Sequence, residues 1–148
     1  MKKYYVAYGS NMHLRQMAYR CPNAILYGTG ILKGWRLIFR GSKTGAYATI
    51  EECESQDVPV VIWQITPLCE RSLDIYEGYP TFYQKHIVTV ELDPGAIQGM
   101  VYIMDEHCQP GKPSYRYVET VWQGYMDNGF GTVPLSEALT YNEFECNS

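Results

Sequence analysis

Hydrophobic positions fall into short alternating or continuous runs over much of the chain, and helical spacing interrupts them at a few places. Tyr5-Val6-Ala7-Tyr8 is an apolar run of aromatic and small residues that reads as a first strand. It breaks at Gly9-Ser10-Asn11. A short helix is expected from about Met12 to Arg20, with Leu14, Met17 and Ala18 on one side, until Cys21-Pro22-Asn23 ends it. Ala24–Ile31 and Trp35–Arg40 read as two strands of a hairpin about Lys33-Gly34. A polar turn over Gly41–Gly45 leads to a short strand at Ala46–Ile50. Ser55-Gln56-Asp57 reads as a loop, and the nearly all-apolar Val58–Ile65 as a buried central strand.

Thr66-Pro67 supplies a helix cap and a first-turn proline, and Gly78 supplies a stop, so a helix is predicted up to Glu77. Leu68, Cys69, Leu73 and Tyr76 form its expected buried face. Strands over Phe82–Leu92 and Ile97–Met104 flank the turn Asp93-Pro94-Gly95, and residues 105–113 read as a loop. Ser114 caps a helix over Tyr115–Asn128, in which Val118, Val121, Trp122 and Tyr125 recur at helical spacing. A weaker helical pattern covers Leu135–Glu143. Strands outnumber helices and mostly pair as hairpins. The expected fold is therefore α+β: a mixed, strongly bent sheet closing toward a barrel, with a few helices packed outside it. With no repeat, linker or low-complexity tract, residues 1–148 read as a single domain.

Composition narrows the classes. Apolar residues make up 46% of the 148 and charged residues 19%, enough apolar surface for a core and too little charge for a disordered chain. A net charge of -4, without any run of Lys or Arg, gives no reason to expect nucleic acid. No segment is long and apolar enough to suggest a membrane span, and Met1-Lys2-Lys3 leads straight into a strand rather than a signal peptide. Cys21, Cys53, Cys69, Cys108 and Cys146 are an odd set at wide spacings without a CxxC pair. They point to free thiols in a reducing, cytoplasmic setting rather than to zinc or disulfide chemistry. His13, His86 and His107 are too scattered for a metal-ligand pattern. Fourteen tyrosines are the unusual feature; each pairs an apolar ring with a polar tip, which suits the wall of a wet pocket as well as a core.

Two stretches carry candidate chemistry. At Gly9-Ser10-Asn11, the glycine lets another group approach the main chain, Ser10 and Asn11 are good helix caps, and free N–H groups make a place for an anion or a polarised carbonyl. A capped turn without a ligand satisfies the same residues. Glu77 closes the helix after the most apolar strand, between Tyr76 and Tyr79. The helix dipole and an aromatic surround both disfavour its charge, raising its proton affinity toward the range of a general acid or base. A solvated glutamate at a frayed helix end is the plain alternative. Asp74, three residues earlier, reads as an exposed neighbour rather than the second half of a carboxylate pair. Tyr83, six positions after Glu77 at the start of a strand, can reach the same pocket, and Tyr117 sits in the first turn of the long helix beside the polar loop; each can hydrogen-bond a substrate, and a packed ring is the plain alternative for both. Ser10 lacks the second glycine of GxSxG and is a poor nucleophile candidate.

Tyr8-Gly9-Ser10-Asn11 after an N-terminal strand, Glu77-Gly78 followed by Tyr83, and Pro113-Ser114-x-x-Tyr117 opening a helix that ends at Asn128-Gly129 together resemble the γ-glutamylcyclotransferase-like family. That family includes the avirulence-induced plant proteins and the γ-glutamylamine cyclotransferases, and the resemblance spans residues 4 to about 130. It implies an enzyme on small γ-glutamyl compounds, in which the substrate's α-amine attacks its own γ-carbonyl and 5-oxoproline is released. It implies Glu77 as the proton carrier, Gly9, Ser10 and Asn11 as the substrate-holding loop, and Tyr8, Tyr83 and Tyr117 as pocket aromatics. No metal or organic cofactor is expected, because an intramolecular ring closure needs positioning, oxyanion donors and a proton carrier. The expected form is a monomer or homodimer. Two other readings stay open: a non-catalytic module of the same fold that binds a small acid or peptide end, and a ring-closing release of a γ-glutamyl protecting group from a biosynthetic product.

Overall fold

The computed structural model describes residues 3–147, with side chains through Tyr141. Five strands form a closed barrel: β1 (Lys3–Ala7), β2 (Ile25–Arg40), β3 (Tyr47–Ile65), β4 (Tyr83–Glu91) and β5 (Ala96–Met104). Its order is β1-β3-β2-β4-β5. Every pairing is antiparallel except the closing one, where Tyr5 of β1 meets Met100 of β5 in parallel. The sheet is thus mixed and bent into closure, as the strand-rich pattern leads one to expect. Four α-helices accompany it: α1 (Leu14–Arg20), α2 (Pro67–Glu77), α3 (Tyr115–Asp127) and α4 (Val133–Asn147). No helix among the described residues is long and apolar enough to cross a membrane.

The central hairpin departs from the sequence reading. Ala24–Ile31 and Trp35–Arg40 are not two strands folded on each other. They are one strand, β2, whose ladder shifts between Lys33 and Trp35, where Gly34 takes φ +80°. A glycine adopts that angle without strain, and β3 carries the surplus: Cys53, Glu54, Ser55 and Gln56 stand opposite Gly34 alone, between the pairs Lys33–Asp57 and Trp35–Glu52. The partner of β2 is β3, whose span includes Ser55-Gln56-Asp57; Asp57 pairs with Lys33, while Ser55 and Gln56 belong to the bulge, so the expected loop is an irregularity within one strand. The pairing runs from Ile25 opposite Gln64 to Arg40 opposite Tyr47. Polar residues in this ribbon face solvent, where strand pairing needs no apolar side chain, so they imitate loop composition.

Val58–Ile62 is buried at every position, which requires both faces of β3 to be covered there. The same core continues to Val121 and Tyr125 of α3 and to Leu135 and Ala138 of α4. Smaller differences concern helix faces. In α1 only Met17 is buried, and Ala18 is exposed. In α2, Cys69 and Leu73 face the core while Leu68 and Tyr76 are exposed. Cys21, Cys53, Cys69 and Cys108 are free thiols; Cys146 lies outside the described side chains.

Candidate active site

Thr66 caps α2 by accepting from the Cys69 N–H, with Pro67 in the first turn. At the other end Gly78 turns left-handed (φ +66°), and its N–H bonds back to the carbonyls of Asp74 and Ile75. This stop fixes Glu77 as the last helical residue and aims it at a cavity of about 330 Å³. Glu77, Tyr8, Gly9, Ser10, Asn11, Tyr83 and Tyr117 all border this cavity, so segments from both halves of the chain meet there.

Glu77 retains some exposure through the cavity, while protein surrounds its carboxyl on nearly every side. Burial disfavours the charged form and pushes its pKa from the ordinary 4.5 up to about 7; the Arg20 guanidinium partly opposes the push. A carboxyl balanced between its two forms near neutrality both takes and gives a proton. Its hydrogen-bond donor is Asn11, whose Nδ2 lies 3.5 Å from Oε1.

Across the cavity, Gly9 leads into a single 3-10 turn over Ser10–Met12. The space around Gly9 is tight. A Cβ there would stand 3.3 Å from Ala48 Cβ and 3.4 Å from the Tyr117 hydroxyl. Ser10 and Asn11 do not cap a helix with their side chains; α1 begins later and is capped by His13, whose Nδ1 accepts from the Gln16 N–H at 3.2 Å. The N–H groups of Met12 and His13 bond to the carbonyls of Gly9 and Ser10. Those of Ser10 and Asn11 open the turn and have no main-chain partner among the described residues. Trp63 pins the turn from β3, its Nε1 donating to the Asn11 carbonyl at 3.0 Å.

The tyrosine hydroxyls divide by what each has left to offer. Tyr8 donates to the Tyr102 carbonyl at 2.6 Å and Tyr83 to the Ala48 carbonyl at 2.7 Å, so both protons are committed to main chain. Tyr117 instead accepts from the Ala48 N–H at 3.0 Å, which leaves its own proton to donate beside Gly9. Burial holds all three hydroxyls above their ordinary range, so they stay neutral donors. The rings of Tyr47, Phe82 and Tyr117 meet edge to face at the rim.

Other residues of the site carry little local signal. Tyr5 accepts from Asn11 Nδ2 at 2.8 Å and lines the cavity; its place inside the motif strand was the available hint. Arg20, at the end of α1, hydrogen-bonds the Asn11 Oδ1 and lies over the Tyr76 ring, 3.5 Å from its centroid. Nothing about a basic residue closing a helix marks it out. Asp74 is not the exposed neighbour expected from spacing. It is half-buried, taking the Tyr102 hydroxyl at 2.5 Å and the Lys85 ammonium at 2.9 Å, because β4 and β5 bring those groups against α2. It and Glu77 face different surroundings and form no carboxylate pair. Among the described residues no cluster of His, Cys, Asp or Glu is arranged to hold a metal ion.

With this geometry, the likeness to known proteins is extensive. The γ-glutamylcyclotransferase of Bos taurus is 31% identical over 152 residues, spanning 97% of this chain and 79% of its own length. That of Homo sapiens is 30% identical over 134 residues, spanning 84% and 71%. A solved γ-glutamyl cyclotransferase superposes with a TM-score of 0.81 at 26% identity, covering 97% of this chain and 86% of its own. Residues 5–123, which hold the turn, Glu77 and the pocket tyrosines, match the family described as gamma-glutamyl cyclotransferase, AIG2-like, and the chain belongs to that family.

Proposed function

We propose that the chain is a γ-glutamyl cyclotransferase that closes the γ-glutamyl group of a small substrate into 5-oxoproline, with Glu77 carrying the protons. One observation supports this above the others: a buried carboxyl with a pKa of about 7 stands beside a turn and a tyrosine that still have hydrogens to donate.

The roles follow from those groups. The substrate's α-ammonium must lose a proton before its nitrogen can attack, and the ionised Glu77 takes it. The amine then adds to the γ-carbonyl, forming the ring C–N bond and placing negative charge on the carbonyl oxygen. The Ser10 and Asn11 N–H groups and the Tyr117 hydroxyl are the donors for that charge; removal of one such donor costs roughly 3–4 kcal/mol in other enzymes. Collapse breaks the original amide C–N bond, and protonated Glu77 returns its proton to the departing nitrogen. In sum, the ammonium loses two protons on becoming a lactam N–H and the leaving nitrogen gains two. One carboxyl cycling between its forms is sufficient. Holding amine and carbonyl of one molecule in contact supplies the remaining acceleration without a protein nucleophile. Tyr8 and Tyr83, with their hydroxyls tied to main chain, serve as wall.

The test is release of 5-oxoproline from a panel of γ-glutamyl amino acids, γ-glutamyl amines and glutathione, for wild type and Glu77→Gln. Turnover of at least one member by wild type, and its loss in Glu77→Gln, is expected. Equal rates in both remove Glu77 from the chemistry, and no release from any member makes the cavity a binding site without turnover.

A further inference from the structure

Arg20 is a half-buried guanidinium with no carboxylate partner among the described residues. Its partners are the Asn11 Oδ1, the Ser10 Oγ at 3.4 Å and the face of Tyr76. It does not line the cavity; Ser10, Asn11 and Tyr76 do, and Arg20 touches all three. It therefore joins the end of α1, the substrate-side turn and the last turn of α2.

The contact with Asn11 has a directional consequence. The two ends of a carboxamide are nearly equal in shape and opposite in hydrogen-bonding sense. A guanidinium only donates, so it selects the Asn11 oxygen. The NH2 end must then face the other way, where it donates to the Tyr5 hydroxyl at 2.8 Å and approaches Glu77 Oε1 at 3.5 Å. Turned over, the same side chain would set a carbonyl oxygen against the carboxylate. The charge has a consequence of its own. The other titratable side chains lining the cavity with Glu77 are Tyr5 from β1, Tyr8 just after it, Tyr47 from β3, Tyr83 from β4, Tyr102 from β5, Tyr117 from α3 and Tyr76 on its own helix. The hydroxyls of Tyr5, Tyr8, Tyr83, Tyr102 and Tyr117 are held neutral by burial. The Cys21 thiol next to Arg20 is pushed up to about 12 by burial and is also neutral. Asp74 is occupied by Lys85 and Tyr102. Arg20 is the cation left to act on Glu77.

We infer that Arg20 is a positioning residue of the proton-transfer apparatus: through the Asn11 carboxamide and its own charge, it holds Glu77 ionisable in a site that would otherwise keep it protonated. The kinetic part of this rests on the proposed cyclotransferase reading; the titration part needs no turnover.

The experiment is an NMR titration of the Glu77 side-chain carboxyl in protein labelled with 13C-glutamate, assigned with Glu77→Gln. It is run on wild type, Arg20→Met, Arg20→Gln and Arg20→Lys, beside pH profiles of 5-oxoproline release. Loss of the charge in Arg20→Met is expected to raise the Glu77 midpoint by about one pH unit, the low end of what a neighbouring opposite charge does. A carboxyl half-ionised at pH 7 would then be about one-tenth ionised. The expected result is a kcat/KM roughly fivefold lower at pH 7 and recovered near pH 9, with KM little changed. Arg20→Lys is expected to return the midpoint to within about half a unit of wild type. Arg20→Gln keeps a donor for Asn11 without the charge and is expected to follow Arg20→Met in midpoint, and it carries the comparison if Arg20→Met does not fold. An unmoved midpoint in the neutral variants overturns the inference, as does an equal rise in Arg20→Lys, which would mark a packing effect. A higher KM at an unmoved midpoint also overturns it and assigns Arg20 to a substrate anion instead. Absence of turnover in wild type would count against the cyclotransferase reading and leave the titration result standing.

Discussion

The two ends of α2 carry acids in opposite circumstances. Near its start, Glu70 is gripped by Lys3 at 2.7 Å and Lys85 at 2.6 Å, and one turn later Asp74 shares Lys85 and takes the Tyr102 hydroxyl. These cations outweigh the effect of partial burial and hold the Glu70 carboxyl below its ordinary range. At its end, Glu77 is more deeply enclosed, lacks a direct ion pair among the described residues and has its pKa at about 7. Helix, residue type and spacing are nearly constant across this distance. What differs is the element lying opposite: strands β1 and β4 bring lysines to one end, and the turn and the tyrosines enclose the other. Proton affinity here is set by tertiary neighbours far more than by position along the helix.

The largest expected effect separates the two ends by activity. Glu77→Gln removes the proposed proton carrier while keeping the shape, and it should lower 5-oxoproline release by 100-fold or more, within the 10²–10⁴ range of general acid-base contributions. The same change at Glu70 should leave the rate within about twofold, since a partly exposed ion pair contributes little. A matching loss in both variants would mean that the cavity end has no special chemistry. In wild type, kcat/KM should rise with pH through about 7 as Glu77 ionises, and a stopped-flow or discontinuous assay between pH 5 and 9 measures it.

Stability should move the other way. A group whose folded pKa exceeds its unfolded value holds more protons when folded. Its favourable contribution is therefore present below pH 4.5 and lost as pH rises to about 7. The gap between 4.5 and about 7, at 1.36 kcal/mol per pH unit, sets a ceiling of about 3 kcal/mol on what ionising Glu77 costs the fold. Glu77→Gln should accordingly be more stable than wild type by up to that amount at pH 8, and by almost nothing at pH 4.5. Urea unfolding at the two pH values checks it. A loss of activity joined to a gain in stability is the signature of a site maintained against the fold's own preference.

The helix start offers a milder test. Thr66→Ala removes the side-chain acceptor of the Cys69 N–H and should cost about 1 kcal/mol in unfolding free energy. The expected activity of the folded fraction is unchanged, because the Gly78 stop that sets Glu77 in place lies at the far end of the helix.

How much of this was legible follows the same division. The boundaries of α2 were, because Thr66-Pro67 and Gly78 are local signals whose reasons lie in the backbone. The raised proton affinity of Glu77 was legible in direction from the helix end and its flanking rings, although burial by distant segments is its main cause. The tethering of Asp74 was not legible, since Lys85 and Tyr102 reach it from strands whose register no local pattern fixes. The long β2–β3 ribbon was missed for a related reason. Gly34 and Ser55-Gln56-Asp57 carry turn chemistry, and the ladder on either side of the bulge they form keeps the two strands continuous. Arg20 lies beyond local reading altogether, because its partners belong to the turn and to α2.

The smallest effect inverts the pH dependence seen at Glu77. Lys85→Met removes one of the two cations on Glu70 and the ammonium on Asp74, leaving Lys3 and the Tyr102 hydroxyl in place. Glu70 has a lowered folded pKa, so the stability it contributes is present above its ordinary 4.5 and lost as pH falls through that value and below. The substitution should therefore cost under about 1 kcal/mol at pH 7, as partly exposed pairs do, and progressively less in acid. Glu77→Gln acts in the opposite sense, since its gain grows from pH 4.5 to about 7. Crossed pH dependences from two sites on one helix would localise the difference to the groups facing each end. Parallel ones would mean that α2 responds to pH as a single charged rod, and that the enclosure of Glu77 counts for less than its place in the sequence.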